Sequence, residues 1–262
     1  MIRLICLLKR REGLAAEAFR SGLLDRFGPA VAGLQAQLGI SRHVQFHADP
    51  SLAEGDRAAA ELRGSLASPY EAMADFWWPS LAALERLAAD DAGLALFSQV
   101  AGALDGLVEP GGSLCWLANE YPQISTGPAR VVARPRTPLV KLVFPLMPLP
   151  ELGEAAARDY WLTRHGPLVR SHAVARGMTC YQQVHRRVSP LTGRIAGALG
   201  MGEGEFMGHA EAWWDRSVTR GGAEFDEARL QAAADERNFI DLGRSFLFSG
   251  KEYLFVERDW TI

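Results

Sequence analysis

Tyr160-Trp161-Leu162-Thr163-Arg164-His165-Gly166-Pro167-Leu168-Val169 is hard to read as scaffold alone, and it has a counterpart earlier in the chain. Shifting the sequence by 138 residues lays Arg26-Phe27-Gly28-Pro29 on Arg164-His165-Gly166-Pro167, His47 on His185 and Arg3 on Lys141. Slightly smaller offsets lay Asp75 on Glu211, Trp77-Trp78 on Trp213-Trp214 and Glu120-Tyr121 on Glu252-Tyr253. Matches in this order describe a tandem duplication. The copies have diverged at one telling position, where Phe27 stands in place of His165. A fused pair with one apolar and one polar version of a position can build a single asymmetric site.

The length of 262 residues therefore divides into two halves rather than one large domain. An apolar content of 48%, a charged content of 23% and a formal charge of −3 describe an ordinary globular chain without a basic surface for nucleic acid. Cys6, Cys115 and Cys180 are odd in number and widely spaced, so they form neither a disulfide framework nor a zinc pattern. A reducing, cytoplasmic setting is the expectation. No apolar run is long enough for a membrane span, and the basic cluster Lys9-Arg10-Arg11 follows the first apolar stretch instead of preceding it, unlike a signal peptide.

Each half reads strand, helix, strand, long loop, strand, helix, strand. Strands are expected at Ile2–Leu8, Ile40–Ala48, Tyr70–Trp78 and Ser113–Tyr121, then at Leu139–Phe144, Met178–Arg186, Phe206–Trp214 and Phe246–Glu257. Helical spacing covers Leu14–Leu38, Ser80–Leu104, Leu152–Ala175 and Ser217–Leu242, with a kink or division expected at Gly28-Pro29. The prolines of 122–138 mark a linker, which places one domain at 1–121 and the second at 139–262. A βαββαβ unit is the split ferredoxin-like motif, which leaves one sheet face bare. Two of them in one chain can cover each other, giving an α+β fold: a pseudo-dimeric barrel of antiparallel sheets with helices outside. The long connections Asp49–Pro69 and Arg187–Glu205, the second rich in glycine, read either as a mobile lid or as surface insertions.

Strand alternation sorts the polar residues. Thr179, Tyr181, Gln183 and His185 share a face, as do Met207, His209, Glu211 and Trp213, and in the first half Ser41, His43, Gln45 and His47. The expectation is that these sets, with Asp75, Arg3 and Lys141, point into the space between the sheets. There they are either a structural ion network at the pseudo-twofold seam or a pocket in which His185 and Glu211 act as acid and base. A second constellation lies on one helix stripe, Trp161, His165, Leu168 and His172, with Trp214 as an opposing wall. His185, His209 and Glu211 are the one plausible ligand trio for iron or zinc. Their spacing does not demand a metal, and none is expected. Phosphate-binding glycine loops and serine nucleophile elbows are not found.

The segments Leu139-Val140-Lys141-Leu142, Tyr160-Trp161, Arg164-His165-Gly166-Pro167-Leu168-Val169, Tyr181-Gln182-Gln183-Val184-His185 and Ala210-Glu211-Ala212-Trp213-Trp214 resemble the EthD family, named for ethyl tert-butyl ether degradation, of the dimeric α+β barrels. The likeness extends to the first half through Lys9–Leu14, Phe19 and Gly28-Pro29. It implies a ferredoxin-like unit pairing sheet to sheet, here by internal fusion, and it marks His165 as the family's helix histidine. Related barrels include polyketide cyclases and cofactor-free monooxygenases, and some EthD-like proteins act as decarboxylases or dehydratases on aromatic polyketides. The expected ligand is a small, largely apolar or aromatic oxygenated molecule. The expected chemistry, if the chain is an enzyme, is lyase-like or cyclase-like proton transfer without a tightly held cofactor. The expected catalytic residues are His165, His185, Glu211 and Tyr181, and the expected binding residues are Trp161, His209, Trp213, Trp214 and Lys141. The rival readings are a non-catalytic binding or accessory protein, and a monooxygenase that is either cofactor-free or dependent on haem or iron. A homodimer of pseudo-dimeric chains is the oligomer expected, with neither nucleic acid nor membrane as partner.

Overall fold

A computed structural model of the protein describes residues 1–125, 127, 130–218 and 221–258. Eight strands form its frame: β1 (Ile2–Leu8), β2 (Arg42–Ala48), β3 (Ala72–Trp78) and β4 (Leu114–Ile124), then β5 (Leu139–Leu146), β6 (Met178–Arg187), β7 (Gly208–Asp215) and β8 (Phe246–Glu257). In the first half the spatial order is β4-β1-β3-β2, and in the second it is β8-β5-β7-β6, the same ferredoxin-like order twice. All of these pairings are antiparallel. The free edges then join across the halves, β2 to β8 and β4 to β6, so the strands close into one barrel. Closure removes exposed sheet edges. The last strand of each half is long because it pairs with its own sheet at one end and with the other half along the rest. For β4, Leu114–Ala118 pair with β1, while 117–124 pair with β6.

Barrel closure divides the apolar residues into layers. Ile5, Leu7, Phe46, Met73, Trp116, Val143, Val184 and Phe248 fill the barrel. The opposite faces carry the helices, with Leu4, Phe27, Phe76 and Trp78 in the first-half layer and Phe144, Leu146, Trp161 and Phe239 in the second.

Both long connections are helical, which corrects the expectation of irregular loops. Ala53–Arg63 ends at Gly64 in a left-handed cap, and Pro190–Leu199 is capped by the Ser189 hydroxyl and ends at Gly200, also left-handed. Each crosses to the other half. Leu191, Ile195 and Leu199 join the first-half helical core, whereas Ala59 and Arg63 reach over the second half.

The Gly-Pro pairs do not divide their helices. Leu23–Phe27 and Trp161–His165 are π-turns, flanked on both sides by α-helix. The wider turn accommodates the proline that follows, which has no N–H to donate and whose ring would clash in an unbroken α-helix. Strand β4 continues three residues into the stretch 122–138, within which 126, 128 and 129 lie outside the described residues. Residues 219 and 220, where a helix from Ser217 was expected, also lie outside them, and the helix observed is Ala223–Glu236. Among the described residues no helix is long and apolar enough to cross a membrane.

Candidate functional site

The expected site residues divide between the two faces of the second-half sheet. Register decides which face each takes. Gln182 lies opposite Glu211 and Val184 opposite His209, so these side chains share the barrel interior. Tyr181, Gln183 and His185 therefore point outward, against the helices, and His43, Gln45 and His47 do the same in the first half. The hydrogen bonds agree. Gln183 Nε2 donates to Trp161 O at 2.8 Å, and Gln45 Nε2 donates to Leu23 O at 3.0 Å. The expectation that these sets face the inter-sheet space is thus corrected, because alternation gives two faces but not which of them meets the helices. His185 and Glu211 lie on opposite sides of the sheet and do not form an acid/base pair. The trio His185, His209 and Glu211 is not assembled for the same reason, and no other group of three His, Cys, Asp or Glu is placed to hold a metal among the described residues.

Inside the barrel, Arg3, Asp75, Glu120, Lys141, Glu211 and Glu252 form one ion network. Arg3 donates to Asp75 at 2.7 Å, to both oxygens of Glu211 at 2.5 and 3.1 Å, and to Glu120 at 3.3 Å. The Lys141 ammonium lies 2.9 Å from Glu211 and 3.0 Å from Glu252. Trp77 and Trp213 repeat each other across the pseudo-twofold, donating to Glu120 and Glu252 at 2.8 and 2.9 Å. Burial alone would push the Glu211 carboxyl up, but Arg3 and Lys141 outweigh it and hold the group well below the usual carboxylate range. Burial raises Asp75 to about 6 in spite of Arg3. Burial also keeps His209 neutral, with its pKa lowered to about 4, although its Nε2 lies 3.0 Å from Glu211. A cavity of about 200 Å³ opens on this network, lined among others by Trp77, Cys180, Gln182 and Arg130. The charges at its base are committed to each other.

On the helix side a cavity of about 180 Å³ lies between the sheet, the π-turn helix, Ala223–Glu236 and the crossing helix Ala53–Arg63. Its walls are largely apolar, with Phe144, Trp161, Met178, Ala212, Trp214 and Phe239 among them. The π-turn changes the phase of the helix stripe: Trp161, His165 and Val169 line the cavity, and Leu168 and His172 do not. The chemistry is concentrated at three places. His165 Nδ1 lies 2.8 Å from Asp235 Oδ2. The Tyr160 hydroxyl donates to Asp235 Oδ1 at 2.7 Å, and Asn238 donates to both Tyr160 and Asp235. The hydrogen bond from His165 holds the Asp235 carboxyl below its usual range in spite of partial burial, so Asp235 is an acceptor and Nδ1 carries a proton. Nε2 is then the nitrogen free for proton exchange. Second, the Tyr181 hydroxyl accepts from Trp161 Nε1 at 3.1 Å, and burial raises its pKa to about 12, so it stays a neutral phenol. Third, Arg63 grips Glu236 through two bonds of 2.7 and 3.1 Å.

Of the residues expected at a site, this cavity gathers Trp161, His165, Tyr181 and Trp214. Lys141, His209, Glu211 and Trp213 belong to the barrel network. His185 stacks on Trp161 with ring centroids 4.5 Å apart but borders a surface groove with Tyr121 and Arg158. Burial, with the nearby Arg158 cation, lowers its pKa to about 4.

The first half shows how the cavity arises. The register sets Phe76 opposite Leu4 and Ala212 opposite Leu142, which makes Phe76 and Ala212 equivalent. Phe76 is buried and stacks on His43 at 4.5 Å, filling the space that Ala212 leaves open. Phe27 and Leu38 complete the apolar plug where the second half has His165 and Arg176. Asp235, Arg63, Glu236, Arg176 and Ala212 were not among the residues expected. The last two were readable from the same offsets that exposed Phe27 and His165. The others come from helices whose pairing across the halves has no sequence signature.

Two stretches, 11–105 and 149–243, each match the EthD domain model. The chain belongs to the EthD family, with the domain present twice. No curated protein matches it. Among solved structures, it is similar to a protein from Lactobacillus acidophilus provisionally assigned as a monooxygenase, at 10% identity and a TM-score of 0.46, covering 97% of this chain and 94% of that one. It is also similar to a mutant chlorite dismutase from Candidatus Nitrospira defluvii, at 12% identity and 0.45, covering 97% and 91%. A dye-decolorizing peroxidase from Bacteroides thetaiotaomicron is similar at 6% identity and 0.46, covering 95% and 92%.

Proposed function

We propose that this chain binds a small, largely apolar, aromatic oxygenated molecule in the second-half helix–sheet cavity and transforms it by proton transfer at His165. The observation that carries this reading is His165, which lines a largely apolar cavity and lies 2.8 Å from Asp235. A carboxylate on Nδ1 fixes the tautomer and ring orientation, and stabilises the imidazolium formed when Nε2 accepts a proton. The apolar surround strengthens that electrostatic help. Trp161, Trp214 and Phe239 offer flat faces to an aromatic ring, and the Tyr181 phenol is placed to donate to or accept from a substrate oxygen. Together these groups suit dehydration, decarboxylation or cyclisation, in which a proton is moved and no electrons are exchanged with a cofactor.

The test begins with the small molecules that co-purify with the protein from its native host, identified by mass spectrometry and returned to wild type and His165→Phe in D2O. Loss of water or carbon dioxide, or ring closure, by wild type and not by the variant supports acid/base catalysis. Binding without chemical change makes the chain a carrier, and oxygen consumption makes it an oxidase or oxygenase; either result replaces this reading.

A further inference from the structure

The guanidinium of Arg176 is the one charged group lining the second-half cavity that has neither a hydrogen bond nor an ion pair among the described residues. The other charges there are matched. Arg63 takes both oxygens of Glu236, the partly exposed Arg229 lies 3.7 Å from Asp226, and His165 is engaged by Asp235. The surroundings of Arg176 are Glu236, whose oxygens are already committed, Arg63 and the neutral Tyr181. Burial accordingly pulls its pKa below the ordinary arginine value. A half-buried guanidinium so placed remains charged, and its nitrogens are open to a ligand that supplies the missing acceptor. The backbone fixes its position: Arg176 N donates to His172 O at 2.9 Å, and Gly177 takes a left-handed conformation before β6 begins.

The first half is an internal control. Leu38 precedes the equivalent left-handed Gly39 and is buried in the apolar plug, so the fold at this position does not require a cation. We propose that Arg176 is an anion anchor, and that the cavity's ligand is an aromatic molecule bearing a carboxylate that pairs with it while its ring system lies against Trp161, Trp214 and Ala212. This rests on the helix–sheet cavity being the binding site. It adds the charge of the ligand and the residue that receives that charge.

The experiment compares 1-naphthoate with its neutral isostere 1-naphthamide, titrated by quenching of tryptophan fluorescence, on wild type, Arg176→Leu, Arg176→Lys and Ala212→Phe. A charge-assisted, partly buried pair predicts that wild type prefers the carboxylate by about ten- to a hundredfold. Arg176→Leu, which installs the first half's own residue, is expected to abolish the preference while retaining amide binding, and Arg176→Lys to keep part of it. Thermal melts of each variant establish folding, and Arg176→Gln replaces Arg176→Leu if the latter is unfolded. Equal affinity of wild type for both ligands, or a preference that survives loss of the guanidinium, overturns the anchor. If both ligands bind wild type and neither binds Ala212→Phe, the cavity stands as the site even where the anchor falls. If Ala212→Phe binds them as wild type does, or wild type binds neither, the cavity reading falls as well.

Discussion

The side-chain amide of Gln183 donates to the backbone carbonyl of Trp161 at 2.8 Å, the carbonyl that opens the π-turn carrying His165. Its Oε1 faces His185 Nε2 at 3.0 Å. Gln45 makes the same pair of contacts in the first half, to Leu23 O and to His47. A strand residue thus fixes the widened turn in both copies, whether or not the turn carries a titratable ring. The close approach has a requirement of its own, since a Cβ at Gly166 would lie 3.0 Å from Gln183 Nε2 and 2.7 Å from Gln123 Oε1. Gly28 is similarly closed off by Phe255.

Replacing Gln183 by Ala leaves a buried carbonyl short of one partner and the His185 ring without its acceptor. The expected loss of stability is about 1–3 kcal/mol, read by chemical denaturation. Because the turn orients His165, turnover of a cognate substrate should fall although Gln183 is not in the cavity wall. Gln45→Ala should cost a similar stability and leave turnover per folded molecule unchanged. Equal effects of the two changes on turnover would show that Gln183 does not position the His165 turn.

His165→Phe and Phe27→Ala separate chemistry from packing. The first removes a ring nitrogen but keeps a ring that the equivalent position already accepts, so stability should change by about 1–2 kcal/mol while turnover is abolished. Phe27 is fully buried against His43, and its truncation should cost about 3–5 kcal/mol and act on turnover only through folding. Thermal melts can be run before any substrate is known. A His165→Phe protein that fails to fold, or one that turns substrate over normally, makes the histidine a packing residue.

The fold was largely legible because duplication repeats the strand frame and because strand period is a short-range property. Which sheet face meets the helices was not. Alternation alone does not place polar residues such as Gln45 and Gln183 on the helix side, where the π-turn carbonyls create a demand for polar partners. The helix of the second long connection is marked by capping signals, Ser189-Pro190 at one end and Gly200 at the other, which the glycine content obscures. Trp161, His165, Tyr181 and Trp214 were readable as candidates from local pattern alone. Asp235 and Glu236 were not, because their partners His165 and Arg63 are brought to them only when separate helices pack.

Glu211 tests the assignment of the barrel interior to structure. It receives Arg3 and Lys141, both buried. Glu211→Ala removes the shared anion and leaves two cations facing each other, which should cost about 3–5 kcal/mol as measured by denaturant unfolding. Activity of the folded fraction should be retained, since the carboxylate lies on the opposite side of the sheet from His165. Loss of activity in a well-folded Glu211→Ala protein would return the barrel interior to consideration as a catalytic site.

Stability should fall steeply in mild acid. Burial lowers the pKa values of His43, His185 and His209 to about 4 and of His47 to about 3. In the unfolded chain these rings bind protons below about pH 6.5, whereas in the folded state they stay neutral until much lower pH. Between those limits the unfolded state binds more protons, so stability rises with pH and is lost as pH drops from about 6.5 toward 4. One ring contributes about 1.4 kcal/mol per pH unit at full slope, and four together about 6 kcal/mol per pH unit, so one pH unit is comparable to the whole stability of a small domain. Asp75 acts in the opposite sense: its folded pKa is raised to about 6, so it favours folding more at low pH, but it is one group against four. The expected melting temperature is level above about pH 7 and falls sharply below about pH 6. His47→Gln should flatten the fall, because it removes a ring whose protonation favours the unfolded chain. A melting temperature unchanged between pH 7 and pH 5 would mean that the rings are hydrated and able to charge in place, contrary to their burial.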